Sequence, residues 1–158
     1  MATRILTRIL VVCLGNICRS PMGQGVIEQR AAEAGLALMV DSAGLGAWHI
    51  GNPPDPRGLK AASARGYDNS RQRARQVRVG DFHDFDLILA MDADNVAGLE
   101  RLRPAGAPGR TLAEVRLFHP SGRDIPDPYY GGPPDYEHAL DLIEEAVGDL
   151  IATLSGRA

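Results

Sequence analysis

Cysteine occurs only twice in the 158 residues, as Cys13 and Cys18, and lysine only once, as Lys60. Two thiols five positions apart cannot form the disulfide framework of a secreted mini-protein, and alone they cannot build a zinc site. Long apolar runs are also missing. The stretch Ile9 to Leu14 is too short to cross a bilayer, and Arg8 precedes it with no small-residue cleavage pattern after it. Positive charge is in deficit, with 17 basic against 20 acidic residues and a formal charge of −3, so the basic footprint of a nucleic-acid binder is absent. The four histidines, His49, His83, His119 and His138, have no metal-ligand spacing. These absences lead us to expect a chain of the reducing cytoplasm, with no metal, cofactor, nucleic-acid or membrane partner. What remains is ordinary: 44% hydrophobic and 23% charged residues, in a length that suits one domain over 1–158 with a full core. Residues 1–7 read as a fraying N-terminus and 155–158 as a C-terminal tail.

Strand-like and helix-like segments alternate. Ile9 to Val12 is a buried strand, and Ser20-Pro21 opens a helix to about Gly35, with serine as N-cap and proline in the first turn. Leu38 to Val40 is a second strand ending near Ser42, and the Gly- and Pro-rich stretch from 44 to 56 is a loop. A modest helix covers Pro56 to Arg65. Asp86 to Met91 is a third strand, followed by a helix capped by Asp92, and Val115 to Phe118 is a weaker fourth strand. After a proline-rich loop from 124 to 134, Asp135 to Leu154 carries apolar residues at helical spacing. The alternation predicts a parallel sheet covered on both faces, with ligands beyond the carboxyl ends of its strands.

The first of those ends carries Cys13-Leu14-Gly15-Asn16-Ile17-Cys18-Arg19-Ser20. Gly15 and Asn16 tolerate left-handed backbone angles, so successive N–H groups, those of Leu14, Gly15, Ile17 and Cys18 among them, can turn inward as an anion nest. The positive end of the following helix adds to that field and favours Cys13 as a thiolate nucleophile. Arg19 is placed to grip two oxygens of a tetrahedral anion. The nucleotide-binding Gly-x4-Gly-Lys-Ser/Thr and Gly-x-Gly-x-x-Gly loops are both absent here.

Val-Cys-Leu-Gly-Asn-Ile-Cys-Arg-Ser-Pro at 12–21 resembles the signature of the low-molecular-weight protein tyrosine phosphatases. The resemblance continues through Ser42-Ala43-Gly44, Trp48-His49, 51–57, Ala74-Arg75-Gln76, 85–92 and Asp127-Pro128-Tyr129-Tyr130, in order over most of the chain. It implies a single-domain α/β fold: a four-stranded parallel sheet with helices on both faces, doubly wound in a flavodoxin-like arrangement. It also implies hydrolysis of phosphotyrosine in proteins through a cysteinyl-phosphate, with no metal or cofactor. Cys13 is then the nucleophile, Arg19 the phosphate clamp and Asp127 the general acid and base. Ser20 is expected both to cap the first helix and to bond the Cys13 sulfur. Asn16 would hold the loop open and Ser42 would support it. Ile17, Trp48, Tyr129 and Tyr130 would line a slot for an aromatic phosphoester, and Cys18 is either a small buried residue or a redox partner for Cys13. The implied partner is a phosphotyrosine protein such as a bacterial tyrosine kinase, acted on by a monomer or weak dimer.

The chain departs from the family pattern at three places. Gly23-Gln24 stands where Ala-Glu is common, Leu45 where a threonine is usual, and Gln72 where a histidine is often found. Arg71, Arg73, Arg75 and Arg78 read as a solvated basic face. Thioredoxin-coupled arsenate reductases share the Cys-x5-Arg loop, but no cysteine follows Cys18 to relay a disulfide. Protein arginine phosphatases tend to carry threonine where Ile17 stands. A catalytically dead phosphopeptide-binding module is the third alternative.

Overall fold

In the computed structural model, residues 7–106 and 111–156 are described. Most of the expected fraying segment, 1–6, and the last two residues of the tail therefore lie outside the described residues. Four parallel strands form the sheet: β1 (Thr7–Cys13), β2 (Leu38–Gly44), β3 (Leu87–Ala90) and β4 (Glu114–Leu117), in the order β2-β1-β3-β4. The helices are α1 (Arg19–Glu33), α2 (Pro56–Ala64), α3 (Asp81–Asp84), α4 (Ala93–Leu102) and α5 (Pro133–Leu154).

The central strand β1 is apolar on both faces because both are covered. Its period-two alternation sends Ile9 and Val11 into one core with Met22, Val26, Leu140 and Val147, from α1 and α5. Leu10 and Val12 enter a second core with Phe82, Leu99 and Ile88 on the opposite face. The doubly wound reading is thus the observed architecture. The chain enters on one side of β1 and returns on the other, so its topological switch point lies at the end of β1, next to Cys13. Among the described residues, no helix is long and apolar enough to cross a membrane.

Element ends differ from the sequence reading in instructive ways. α5 starts two residues early, at Pro133, because prolines in a first turn sacrifice no hydrogen bond; the Asp135 carboxylate accepts the Gly132 N–H at 2.8 Å instead. β2 runs on to Gly44, where the chain passes hard against the loop after β1. A Cβ at Gly44 would lie 3.0 Å from the Gly15 carbonyl carbon and from the Leu14 oxygen, so only glycine fits without displacement. The four-residue α3 was not foreseen. Gly23 is explained by packing, since a Cβ there would meet the Met91 methyl at 2.8 Å, Val11 at 3.1 Å and Phe118 at 3.2 Å. Leu45 fills the space above Gly98 and joins the second core.

Candidate active site

The loop between β1 and α1 wraps around the Cys13 sulfur. Asn16 has φ 58°, the only positive φ outside glycine among the described residues, while Gly15 does not adopt the left-handed conformation expected of it. A Cβ on Gly15 would instead press on the His49 ring at 3.1 Å. The Asn16 N–H donates to Cys13 Sγ at 3.2 Å, and Ser20 Oγ lies 3.0 Å from the same sulfur. Asn16 Nδ2 donates to both Ser20 Oγ at 2.8 Å and Ser42 Oγ at 3.0 Å, and its Oδ1 accepts the Arg75 N–H at 3.0 Å. Because Ser20 Oγ accepts from Asn16, its own proton is free to point at the sulfur.

The N-cap expectation for Ser20 is corrected. α1 begins at Arg19, its N-cap is Cys18, and no side chain caps it. The Ser20 hydroxyl is engaged with Cys13 and Asn16 and is unavailable for capping. The first N–H groups of α1 are thereby left for an anion, which is what a helix N-terminus attracts.

Arg19 is buried, with 3% of its side chain exposed, and its Nη1 donates to Asp92 Oδ2 at 2.6 Å and to the Ile125 carbonyl at 2.9 Å. Nε and Nη2 form no hydrogen bond among the described residues, which leaves one edge of the guanidinium for two oxygens of a ligand. Burial works against the Arg19 charge, but Cys13, Asp92 and Asp127 outweigh it and hold the guanidinium protonated above its ordinary range. Asp92 was read from sequence only as the cap of α4. Its Oδ1 does accept the Asn95 N–H at 2.8 Å, while its other oxygen fixes Arg19. Nothing in the local sequence signals that second task, because the two residues are 73 positions apart.

Asp127 Oδ2 lies 3.6 Å from Arg19 Nη2, its Oδ1 accepts the Tyr129 N–H at 3.1 Å, and 41% of its side chain is exposed. The carboxylate is therefore partly desolvated. Cys13, Ile17, Arg19 and Asp127 share one cavity of about 360 Å³ with Leu14, Gly15 and Cys18. Trp48, Tyr129 and Tyr130 form its outer wall together with His49, which the sequence reading quoted without assigning a role. Tyr129 and Tyr130 meet edge to face at 4.8 Å between centroids, and Arg57 stacks over Tyr129 at 5.7 Å.

Cys18 is turned away from solvent, with its Sγ 3.4 Å from the Tyr136 hydroxyl. Burial pushes its thiol up to about 12, against a smaller lowering by Tyr136. Both cysteines are free. Gln72 does not reach Asn16 or Ser42; its Nε2 donates to the Pro21 carbonyl at 3.1 Å. Arg75 is not part of a solvated basic face, since its guanidinium is locked on Asp41 at 3.0 Å and on both oxygens of the buried Asp81 at 3.0 and 3.1 Å. Among the described residues, no group of three or more His, Cys, Asp or Glu side chains is placed to hold a metal ion.

A doubly wound parallel sheet, with a cysteine at its switch point inside an uncapped-helix anion loop, defines the class of cysteine-based phosphatases. Residues 8–157 match the family model described as low molecular weight phosphotyrosine protein phosphatase. The chain is 41% identical over 151 residues to a putative low molecular weight protein-tyrosine-phosphatase of Synechocystis, covering 93% of this chain and 96% of that one. The crystal structure of YfkJ from Bacillus subtilis superposes with a TM-score of 0.84 at 36% identity, covering 98% of both chains. Wzb of Vibrio vulnificus, solved in complex with benzylphosphonate, gives a TM-score of 0.82 at 32% identity and covers 94% of this chain and 99% of that one. The chain belongs to the low molecular weight protein tyrosine phosphatase family and is a phosphatase.

Proposed function

We propose that the protein hydrolyses phosphotyrosine in proteins, and aryl phosphates generally, by a two-step route through a cysteinyl-phosphate. The observation that carries this reading is the convergence of Cys13, Arg19 and Asp127 on one cavity whose outer wall is aromatic. The Cys13 thiolate attacks phosphorus in line and displaces the tyrosyl oxygen. Nε and Nη2 of Arg19 and the N–H groups of the loop hold the three equatorial oxygens, where charge resides in a loose transition state. Asp127 protonates the departing phenolate. It then takes a proton from the water that attacks the cysteinyl-phosphate, which releases inorganic phosphate and restores the thiolate. The Ser20 hydroxyl bonds the sulfur as it leaves in the second step. Asn16 and Ser42 keep the loop open, and Asp92 fixes the rotation of Arg19.

The Tyr129 and Trp48 walls of the cavity suit an aromatic ester, and Ile17 among its lining offers the apolar contact that a phenyl ring needs. The complex of Wzb with benzylphosphonate shows that relative holding a phosphonate whose substituent carries a phenyl ring. The cellular substrate is proposed to be a phosphotyrosine protein such as a bacterial tyrosine kinase, acted on in the cytoplasm by a monomer or weak dimer. Cys18 is proposed as a partner able to trap an oxidised Cys13 as a disulfide.

The test is turnover of p-nitrophenyl phosphate in EDTA by the wild-type protein and by Cys13→Ser. Wild-type activity that persists in EDTA and vanishes in the variant is expected; an inactive wild type would overturn the reading. Parallel assays on phosphotyrosine and phosphoarginine peptides are expected to favour phosphotyrosine.

A further inference from the structure

A second cavity, of about 460 Å³, lies behind the phosphate loop at the β2 edge of the sheet. α1 contributes Gln24 and Glu28, four positions apart on one helix face. β2 contributes Asp41 and Ser42, and Arg71 to Arg73 form the opposite wall. Its chemistry is divided. One side, from α1 and β2, carries the Glu28 and Asp41 carboxylates. Burial holds the Glu28 carboxyl above its ordinary range, opposed by a hydrogen bond with Gln24 and helped by the neighbouring Asp41. Arg75 partly compensates Asp41, but it is shared with Asp81. The other side presents Arg71, with Asp68 beside it, and Arg73, whose Nη1 donates to the Ser70 and Gln72 carbonyls and whose remaining nitrogens face the space.

Two neighbouring carboxylates, one of them raised by burial, call for a ligand end bearing N–H donors and positive charge. Two arginines across the same space call for an anionic group on that ligand. We propose that this cavity binds a small zwitterion with a guanidinium or ammonium at one end and a carboxylate at the other, and that its occupancy modulates the phosphatase site. The path to the site is short. Ser42 Oγ accepts from Asn16 Nδ2, which also donates to Ser20 Oγ, itself 3.0 Å from Cys13 Sγ. Asp41 holds Arg75, whose backbone N–H anchors the Asn16 carbonyl oxygen. A ligand engaging Ser42 and Asp41 therefore pulls on Asn16 from both ends of its amide. Such coupling is reciprocal, so a ligand in the front cavity changes affinity at the back by the same factor.

The regulatory half of this inference rests on the phosphatase reading, whereas the binding half does not. L-arginine is the probe, titrated calorimetrically into the full chain saturated with inorganic phosphate, so that the front cavity is already filled. Binding of one equivalent with a Kd at or below about 1 mM is expected. Glu28→Gln and the double variant Arg71→Ala/Arg73→Ala should each weaken it by about fivefold or more, and agmatine, which lacks the carboxylate, should bind more weakly than arginine. With p-nitrophenyl phosphate, arginine should change kcat/KM at least about twofold in the wild type and leave Glu28→Gln unaffected. No binding up to roughly 20 mM, or binding undiminished in both variants, overturns the site. Binding without any change in kcat/KM overturns its regulatory role. A protein that binds arginine yet never turns over aryl phosphates would sink the proposed function while leaving the site standing.

Discussion

The floor and the rim of the front cavity are built on opposite principles. On the floor, Cys13, Asn16, Arg19 and Ser20 are all buried; Cys13 and Ser20 are bonded to each other and to Asn16, while Asn16 and Arg19 are tied to Ser42 and Asp92 in distant parts of the chain. At the rim, Trp48 is 70% exposed and Tyr130 95% exposed, and Tyr130 is held by an edge-to-face contact with Tyr129 rather than by a hydrogen-bond network. A phosphate has one shape and one charge, so its cradle is best fixed in advance, where preorganised donors act without reorganisation. The protein around a phosphotyrosine varies in shape, and a rim of exposed aromatics supplies contact area that can adapt to it.

If that contrast is correct, the largest losses come from small changes to the floor. Arg19→Lys keeps the charge but removes the fork. A lysine cannot bond Asp92 and the Ile125 carbonyl while also gripping two phosphate oxygens. We expect kcat/KM to fall by about 10³-fold, roughly 4 kcal/mol of transition-state stabilisation, with the melting temperature little changed. A steady-state assay with a parallel melting curve checks this, and a loss confined to KM would mean that Arg19 only binds.

Asp127 stands between floor and rim, partly exposed and only 3.6 Å from Arg19. Asp127→Asn removes the proton without altering the shape. A loss of about 10²-fold is expected for phosphotyrosine and a smaller one for p-nitrophenyl phosphate, whose leaving group needs less protonation. A loss independent of the leaving group would assign Asp127 to positioning alone.

Sequence legibility follows the same division. The floor was readable because its residues are neighbours: a strand, a short loop with residues suited to tight angles, and a helix. What joins that loop to the rest was not readable. The Asp92 bridge to Arg19 and the Arg75 backbone bond to Asn16 each span more than 50 positions, and neither residue type is unusual where it stands. The capping role given to Ser20 followed helix-start rules correctly in form, but the hydroxyl is engaged by Cys13 and Asn16. Arg75 looked like one of four surface arginines until folding brought Asp41 and Asp81 to it. Gly23 read only as a departure from the family pattern because the Met91, Val11 and Phe118 contacts that require it come from other elements.

Rim substitutions should be mild. Trp48→Ala and Tyr130→Ala each remove an exposed ring, so KM for a phosphotyrosine peptide should rise about three- to tenfold while kcat and stability hold. Small aryl phosphates, which do not extend past the rim, should respond less to Tyr130→Ala than peptides do. Equal effects on both would place Tyr130 in the slot itself.

The smallest expected effect concerns Cys18, which belongs to the floor by sequence but not by exposure. With burial pushing its thiol up to about 12, Cys18 stays protonated at pH 8, and its sulfur faces Tyr136 rather than solvent. Iodoacetamide at pH 8 should therefore label Cys13 and leave Cys18 unmodified, as read by peptide mass mapping. Phosphate in the front cavity should protect Cys13 without exposing Cys18. The same burial bears on the proposed disulfide. A thiol kept protonated attacks a sulfenic acid slowly, so after peroxide treatment the Cys13–Cys18 bond should form faster as pH rises towards the Cys18 value. A rate independent of pH would show that ionisation of Cys18 does not limit the reaction, and the contrast between a fixed floor and an exposed rim would then fail at this residue.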